Sequence, residues 1–100
     1  MIIYNVTVKI EKALAADWVQ WMKTKHIPDV IATGLFTGYR LCRIFDDEED
    51  GGETFATQYY CENMEHFLQY QQQYAPALQK EHMSRYQDRY VAFKTLMEEL

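Results

Sequence analysis

His26 is the side chain in this sequence best suited to acid–base chemistry. The unperturbed pKa of an imidazole lies near physiological pH, and Asp29 follows closely enough in the sequence to orient the ring. The alternative is a histidine that lies at a helix C-terminus because the helix dipole favours a cation there. Trp21 lies at the flank of a predicted helical stripe, where its indole would wall a cleft beside the imidazole. We therefore expect His26 to be the catalytic residue of a site, with Trp21 and Asp29 as ligand-binding residues.

Polar side chains on the predicted strands could extend this site. Arg40, Arg43 and Lys94 are strand cations, and one or two of them on a concave face would bind a carboxylate or an enolate. An exposed strand edge explains these cations equally well. Asn5 and Thr7 carry donors and acceptors in the middle of the first predicted strand, although alternating strands commonly have one solvated face. We take Asn5, Thr7, Arg43 and Lys94 as candidate ligand-binding residues.

The sequence contains no recognisable metal or phosphate motif. His26, His66 and His82 lie on different predicted elements without the spacing of a shared helical face, and neither Cys42 nor Cys61 belongs to a CxxC pair. Glycine-rich phosphate loops and nucleophile elbows are also absent from the sequence. We expect no metal and no cofactor, although a haem ligand among the three histidines stays open.

The composition is that of one globular domain without a nucleic-acid partner. The chain has 100 residues, 48% of them hydrophobic, which is enough for a single core over residues 1–100. Its net charge of -5 comes from five consecutive acids at residues 46–50, so that ten acids face ten bases elsewhere. Phosphate binding needs a clustered basic surface, and no basic stripe is visible. We expect the acidic run to be a solvated hairpin tip, since it lacks the alternating ligands of a calcium loop.

No segment of the sequence resembles a membrane span or a signal peptide. The N-terminal residues alternate at once between apolar and polar, and no apolar stretch approaches the ~18 residues that a membrane helix needs. We therefore expect a cytoplasmic protein with no membrane partner.

The periodicity of the apolar residues predicts an α+β fold. Alternation predicts four strands, at residues 2–10, 35–45, 53–61 and 90–97. Helical spacing predicts three helices, at residues 13–26, 63–74 and 76–86. The first helix should end near His26, because Pro28 disfavours helical geometry at the residue before it. The order β-α-β-β-α-β, with its second helix broken at Pro76, predicts a ferredoxin-like four-stranded antiparallel sheet with its helices on one face.

The apolar stripes also predict which helical side chains face the sheet. In the first helix, Trp18 lies at the centre of a stripe with Leu14 and Met22, and Trp21 lies at its flank. In the other two helices the predicted inward residues are Met64, Phe67, Leu68 and Gln71, and then Leu78, His82, Met83 and Tyr86. Trp18 should therefore be the more deeply buried tryptophan.

The pairing of Cys42 and Cys61 depends on the register of the central hairpin. A tight turn from Asp50 to Glu53 would place the two cysteines opposite each other, whereas a wider acidic loop moves them beyond bonding distance. We favour the wider loop, because the tight turn would pair Asp50 against Glu53 across the strands. We expect two free thiols.

The predicted sheet leaves one face without helices. Several of the side chains on that face are apolar or aromatic, and a large exposed apolar patch usually marks an interface. A second copy of the chain is the simplest cover. Two such sheets packed face to face would form a closed two-fold symmetric barrel whose interior can hold a ligand, so we expect a homodimer through the sheet face.

With these elements placed, the chain resembles a short bacterial family of unknown function in the dimeric α/β-barrel superfamily. The matching segments are Ile3-Tyr4-Asn5-Val6-Thr7-Val8, Trp18 through Trp21-Met22, His26-Ile27-Pro28-Asp29-Val30 with Ala32-Thr33-Gly34, Leu41-Cys42-Arg43, Gln58-Tyr59 and Val91-Ala92-Phe93. They span nearly the whole chain and keep the order of the elements. The resemblance implies the fold and the dimer but brings no known reaction. Gln58, in one of these segments, completes the candidate ligand-binding residues.

The wider superfamily includes cofactor-free monooxygenases, haem enzymes, small-molecule isomerases, degradative enzymes and ligand-sensing domains. In several of these a histidine near the end of the first helix, often followed by proline, borders the cleft between helix and sheet. His26-Ile27-Pro28 is similar to that pattern. We therefore expect a homodimer that binds a small molecule, with cofactor-free activity on a small carbonyl or aromatic compound as the leading hypothesis. The alternatives are a ligand-sensing module and a purely structural dimerisation module without catalysis.

Overall fold

The computed structural model describes residues 1–46 and 50–100 and has the predicted order of elements. Its strands are β1 (Ile2–Glu11), β2 (Gly38–Ile44), β3 (Gly52–Cys61) and β4 (Tyr90–Glu98). Its helices are α1 (Ala15–Trp21), α2 (Ile27–Ile31), α3 (Met64–Gln73) and α4 (Ala75–Arg85), with a 3-10 turn (Lys12–Leu14) before α1 and a π-helical turn (Met22–His26) between α1 and α2. The ferredoxin-like α+β fold is confirmed.

The four strands form one antiparallel sheet in the order β2-β3-β1-β4. In the centre, Ile2 of β1 lies opposite Cys61 of β3 on one side and opposite Glu98 of β4 on the other. β2 pairs with the second edge of β3, with Gly38 opposite Tyr60. A central strand needs the most continuous buried face. β1, which has the longest apolar alternation, accordingly lies between β3 and β4.

Alternating side chains divide the sheet into two faces. The helix face carries the apolar residues that pack with the helices into the core, among them Tyr4, Val8, Ile10, Phe55 and Tyr59. The opposite face, which we call the open face, carries Asn5, Thr7, Arg40, Cys42, Gln58, Val91, Phe93, Thr95 and Met97. Val91 and Phe93 are 69% and 64% exposed there. This exposed apolar surface has the character of an interface.

The β2–β3 hairpin has the wider loop. Cys42 lies opposite Ala56 rather than opposite Cys61. Both cysteines are free, Cys42 exposed on the open face and Cys61 buried in the core. The predicted register is therefore confirmed.

The ends of the acidic run are bonded to neighbouring strands. Asp46 accepts a hydrogen bond from the hydroxyl of Thr54 at 2.8 Å, and Asp50 forms an ion pair with Lys9. Residues 47–49 of the predicted solvated tip lie outside the described residues. The described ends are exposed, as a hairpin tip in water requires.

We predicted that the first helix would end near His26. In the structure the helical segment instead continues through the π-helical turn and α2 to Ile31. In the π-helical turn, the backbone N–H of Ile27 bonds to the carbonyl of Met22, five residues earlier. Ile27 keeps right-handed helical angles, and Pro28 lies in the first turn of α2. A proline is tolerated in a first helical turn because its missing N–H has no role there. The wide turn therefore lets the chain restart a helix at the proline.

The buried face of α3 is rotated from the predicted stripe. Phe67 and Tyr70 are buried, whereas Met64 and Leu68 are 43% and 46% exposed. Tyr4 of β1 packs against this face. Its ring centroid lies 5.1 Å from that of Phe67 and 6.1 Å from that of Tyr70. Packing of aromatic rings against the sheet outweighs the aliphatic stripe.

Candidate functional site

A cavity of about 230 Å³ lies between the helix face of the sheet and the helices. The strands contribute Tyr4, Val6, Val8, Thr57, Tyr59, Tyr90, Ala92 and Lys94, and the helical segments contribute Met22, His26, Tyr70, Gln79, His82 and Met83. Its inner end is buried and aromatic, whereas its mouth lies between α4 and β4, where Met83, Ala92 and Lys94 are exposed. Met83, which was predicted to point inward, is 56% exposed because it lies at this mouth.

His26 lies at the end of the π-helical turn and forms part of the cavity wall. Its ring packs on Trp21, with 5.2 Å between centroids and 32° between planes. Its Nδ1 is buried and has no hydrogen-bond partner within the part of the chain that the structure describes. Asp29 does not orient the ring as predicted, because its carboxylate pairs with Lys25, one helical turn before it. The accessible polar group of His26 is therefore Nε2.

His82 on α4 lies beside His26, with 5.8 Å between the ring centroids. Its Nε2 accepts a hydrogen bond from the indole Nε1–H of Trp18 at 2.9 Å. Trp18 is 0% exposed and Trp21 is 9% exposed, so that the predicted order of burial of the two tryptophans is confirmed. Tyr90 of β4 meets the His82 ring edge to face, with centroids 4.6 Å apart. Four elements thus hold a fixed pair of imidazoles.

Burial decides the charge of the ionisable groups at the cavity. It lowers the pKa of His82 to about 4, helped by repulsion from His26. Burial also lowers the pKa of His26, against the opposing attraction of Glu81 and Asp29. The pKa of Lys94 is lowered by burial as well, and the pKa of Tyr4 is raised to about 12 in spite of its hydrogen bond with Gln79. Both histidines are therefore neutral at pH 7.

The predicted ligand-binding residues separate into groups. Lys94 lines the mouth of the cavity, whereas Trp21, which packs behind His26, and Asp29, which pairs with Lys25, do not line it. The remaining four do not line it: they are Asn5, Thr7, Gln58 and Arg43.

Three of these four residues form a polar group on the open face. The amide Nδ2 of Asn5 donates to the hydroxyl of Thr7 at 3.0 Å, and Gln58, opposite Asn5 in the sheet, accepts from Arg40 at 3.5 Å. Because they point away from the helices, they cannot contact the ligand that His26 contacts. Arg43 is an exposed cation near the hairpin that pairs with Glu53 at 3.0 Å; packing over the ring of Phe55 also holds it there.

His82 is the main site residue that sequence reasoning did not select. Its position with Leu78 and Tyr86 on the inward stripe of the helix predicted at residues 76–86 was the available signal. The sequence did not show that α1 packs beside α4. This packing brings Trp18 into hydrogen-bond contact with His82, which lies 64 residues later in the chain. The buried hydroxyl of Tyr59, which has no hydrogen-bond partner among residues 1–46 and 50–100, is a second polar group of the wall that was not selected.

The described residues contain neither a metal-ligand cluster nor a membrane-spanning helix. Within residues 1–46 and 50–100, no three histidine, cysteine or acidic side chains cluster as ligands of one metal ion. In the same residues no helix combines the length and the apolar character needed to cross a membrane.

Several solved structures have a similar fold. A dimeric ferredoxin-like protein from an uncultured marine organism aligns with a TM-score of 0.74 at 4% identity, over 100% of this chain and 95% of that one. HapK from Hahella chejuensis aligns with a TM-score of 0.73 at 11% identity, over 100% and 93%. An ethyl tert-butyl ether d (EthD) family protein from Bacillus halodurans aligns with a TM-score of 0.68 at 14% identity, over 100% of both chains. At these identities the likeness establishes the fold alone.

Sequence comparison assigns a family to the whole chain. No curated protein matches it. A family model described as "Domain of unknown function (DUF4286)" matches residues 1–100. This agrees with the resemblance to a family of unknown function in the dimeric α/β-barrel superfamily. The chain belongs to the DUF4286 family.

Proposed function

We propose that the protein binds a small flat carbonyl or aromatic compound in the cavity between helices and sheet, and that His26 exchanges a proton with it. The observation that carries this proposal is the convergence of two neutral histidines, His26 and His82, on a cavity of about 230 Å³. A neutral imidazole with an accessible nitrogen can take up a proton near pH 7, and this step needs no cofactor.

The size and lining of the cavity favour a ligand of one or two rings. A cavity of about 150 Å³ holds benzene, so 230 Å³ leaves room for a fused second ring. Ligand pockets are mostly apolar with a few placed polar groups, and here aromatic and aliphatic walls surround His26, His82, Thr57 and Gln79. Lys94 at the mouth adds a positive charge toward an oxygen-bearing end of the ligand.

The environment of His26 suits a proton shuttle. To accept a proton at Nε2, the neutral ring must carry its own proton on Nδ1. Within the described residues this Nδ1 is buried without an acceptor, so this tautomer and the imidazolium are both disfavoured. The imidazolium is therefore destabilised and returns its proton readily, as the lowered pKa of this residue also indicates. Such a group suits removal of a proton from carbon beside a carbonyl, followed by its return.

We further propose that two copies pair through the open face. Val91 and Phe93 supply exposed apolar surface there, around the hydrogen-bonded polar pair of Asn5 and Thr7. A similar fold from a marine organism is described as dimeric. Pairing of the open faces leaves the histidine cavity on the helix side of each sheet, so that each copy keeps its own site.

The test uses 1-indanone, a flat two-ring ketone, in D2O. NMR titration measures its binding, and loss of the proton signal beside the carbonyl measures deuterium exchange. Wild type should bind the ketone and accelerate exchange, whereas His26→Gln should lower the catalysed exchange about a hundredfold or more, the range for a general base. His66→Gln is the matched control, because His66 lies on α3 and does not line the cavity.

The outcomes separate the functional hypotheses. Binding without accelerated exchange in wild type would favour a ligand-sensing module over an enzyme. Ala92→Phe places a large side chain at the mouth and should abolish binding. If Ala92→Phe binds the ketone as well as wild type does, the ligand does not occupy this cavity and the proposal is wrong.

A further inference from the structure

The hydrogen bond between Trp18 and His82 fixes where His82 carries its proton. An indole N–H is a donor only, so the Nε2 that receives it at 2.9 Å must offer a lone pair. A neutral imidazole has one N–H and one lone pair. The proton of neutral His82 is therefore on Nδ1. Trp18 is completely buried, so that water does not compete for this bond.

The Nδ1–H of His82 is left as a donor in need of an acceptor. Within the described residues no side chain or carbonyl accepts from it, although His82 is only 8% exposed. Among these residues the enclosed unpartnered atoms are Nδ1 of His26 and the hydroxyl of Tyr59, so Nδ1 of His82 stays accessible to an acceptor in the cavity that His82 lines. A carbonyl or enolate oxygen is such an acceptor, whereas an apolar ring is not.

We infer that His82 donates its Nδ1–H to an oxygen of the ligand, and that Trp18 acts as the positioning residue that holds His82 in this tautomer. The inference rests on the proposed function and names the ligand class more closely: a compound with a hydrogen-bond acceptor, a ketone or its enolate, at the end that meets His82. His26, with its ring centroid 5.8 Å from that of His82, then meets the adjacent carbon.

In enolisation, His26 takes up the proton and His82 stabilises the oxygen. The C–H bond beside the carbonyl breaks, and its proton goes to Nε2 of His26. The electron pair of that bond forms a carbon–carbon double bond, while the carbonyl π pair moves to the oxygen, which His82 stabilises by its hydrogen bond. Return of the proton to either carbon or oxygen completes an isomerisation or an exchange. No oxidant or reductant is consumed.

The first test needs no ligand. Two-bond proton–nitrogen correlations of the free protein, labelled with 15N in its histidines, distinguish the two neutral tautomers. We expect His82 of wild type to be protonated on Nδ1. Trp18→Phe, which keeps a ring but removes the donor, should shift His82 toward a mixture of tautomers. Protonation of wild-type His82 on Nε2 would overturn the inference whatever the protein binds.

The second test compares 1-indanone with indane, which has the same two rings and no oxygen. One good hydrogen bond should make the ketone bind about three- to tenfold more tightly than indane. The stretching frequency of a 13C-labelled carbonyl should be lower on wild type than on His82→Phe. Tyr86→Phe is the control: it removes the hydrogen bond from Tyr86, the residue after α4, to Asp17 of α1 at 2.8 Å, without touching a His82 nitrogen.

These measurements separate failure of the inference from failure of the proposed function. If both probes bind wild type equally, the proposed function stands and the inference is overturned. If neither binds, the proposed function fails and the assignment of a ligand oxygen fails with it. Trp18 is a core residue, so should Trp18→Phe not fold, His82→Phe and the tautomer of the free wild type still decide the question.

Discussion

Acidification should weaken the fold through His82 before the carboxylates titrate. The pKa of His82 is about 4 in the folded protein, because the ring is buried beside His26, and near 6.5 in the unfolded chain. Between pH 6.5 and pH 4, His82 therefore binds a proton in the unfolded chain but not in the folded protein. The contribution of neutral His82 to the free energy of unfolding is complete above pH 6.5 and is lost as the pH falls toward 4.

The size of this loss follows from the two pKa values. Between pH 7 and pH 4.5 a group with these values would reduce the free energy of unfolding by about 2 kcal/mol, since each pKa unit corresponds to about 1.4 kcal/mol. This is an upper value, since a fold that relaxes around the charged ring loses less. Protonation of His82 also sets a new N–H against the indole N–H of Trp18.

The assay is denaturant unfolding of wild type and of His82→Gln at pH 7 and at pH 4.5. Glutamine does not titrate and its carbonyl oxygen can still accept from Trp18, so the variant should lose about 2 kcal/mol less than wild type on acidification. His66→Gln controls for the removal of any histidine. An equal loss in wild type and His82→Gln would refute the reasoning, since it would mean that His82 does not titrate in this range.

Three further predictions concern burial and assembly. Trp18→Ala should cost about 3 to 5 kcal/mol in denaturant unfolding and more than Trp21→Ala, because Trp18 is 0% exposed; the reverse order would show that Trp21 is the main anchor. Cys42 lies on the open face, so it should react with a thiol reagent in the folded Phe93→Glu monomer, and Cys61 only after unfolding; fast reaction of both would contradict the burial of Cys61. Sedimentation should give about 24 kDa, twice the 12.0 kDa chain, and Phe93→Glu should yield monomers; a wild-type monomer at micromolar concentration would exclude the dimer.

The fold could be predicted because its signals are local. The alternation of β1 and the order of the elements leave few topologies to consider. The repulsion expected between Asp50 and Glu53 correctly favoured the wider hairpin loop. The start of β2 was less predictable: Leu35 and Phe36 are apolar because they fill the core from a loop, and their hydrophobicity resembles that of a strand.

The candidate site could be predicted only in part, because it joins distant segments. The position of His26 on the first helix and of Lys94 on the helix face of β4 agrees with the sequence pattern. The alternation of β1 already placed Asn5 on the face opposite Tyr4, and that face does not reach His26. The Trp18–His82 bond depends on how two helices pack, which no local pattern encodes.

The position of the cavity mouth has a consequence for rates. The mouth lies between α4 and β4, where Met83, Ala92 and Lys94 are exposed, so that a ligand reaches the histidines by rotation of surface side chains. Such rotations take about picoseconds to nanoseconds, far less than the opening of a lid or the separation of a helix from the sheet. Opening of the cavity mouth should then be too fast to limit any steady-state rate.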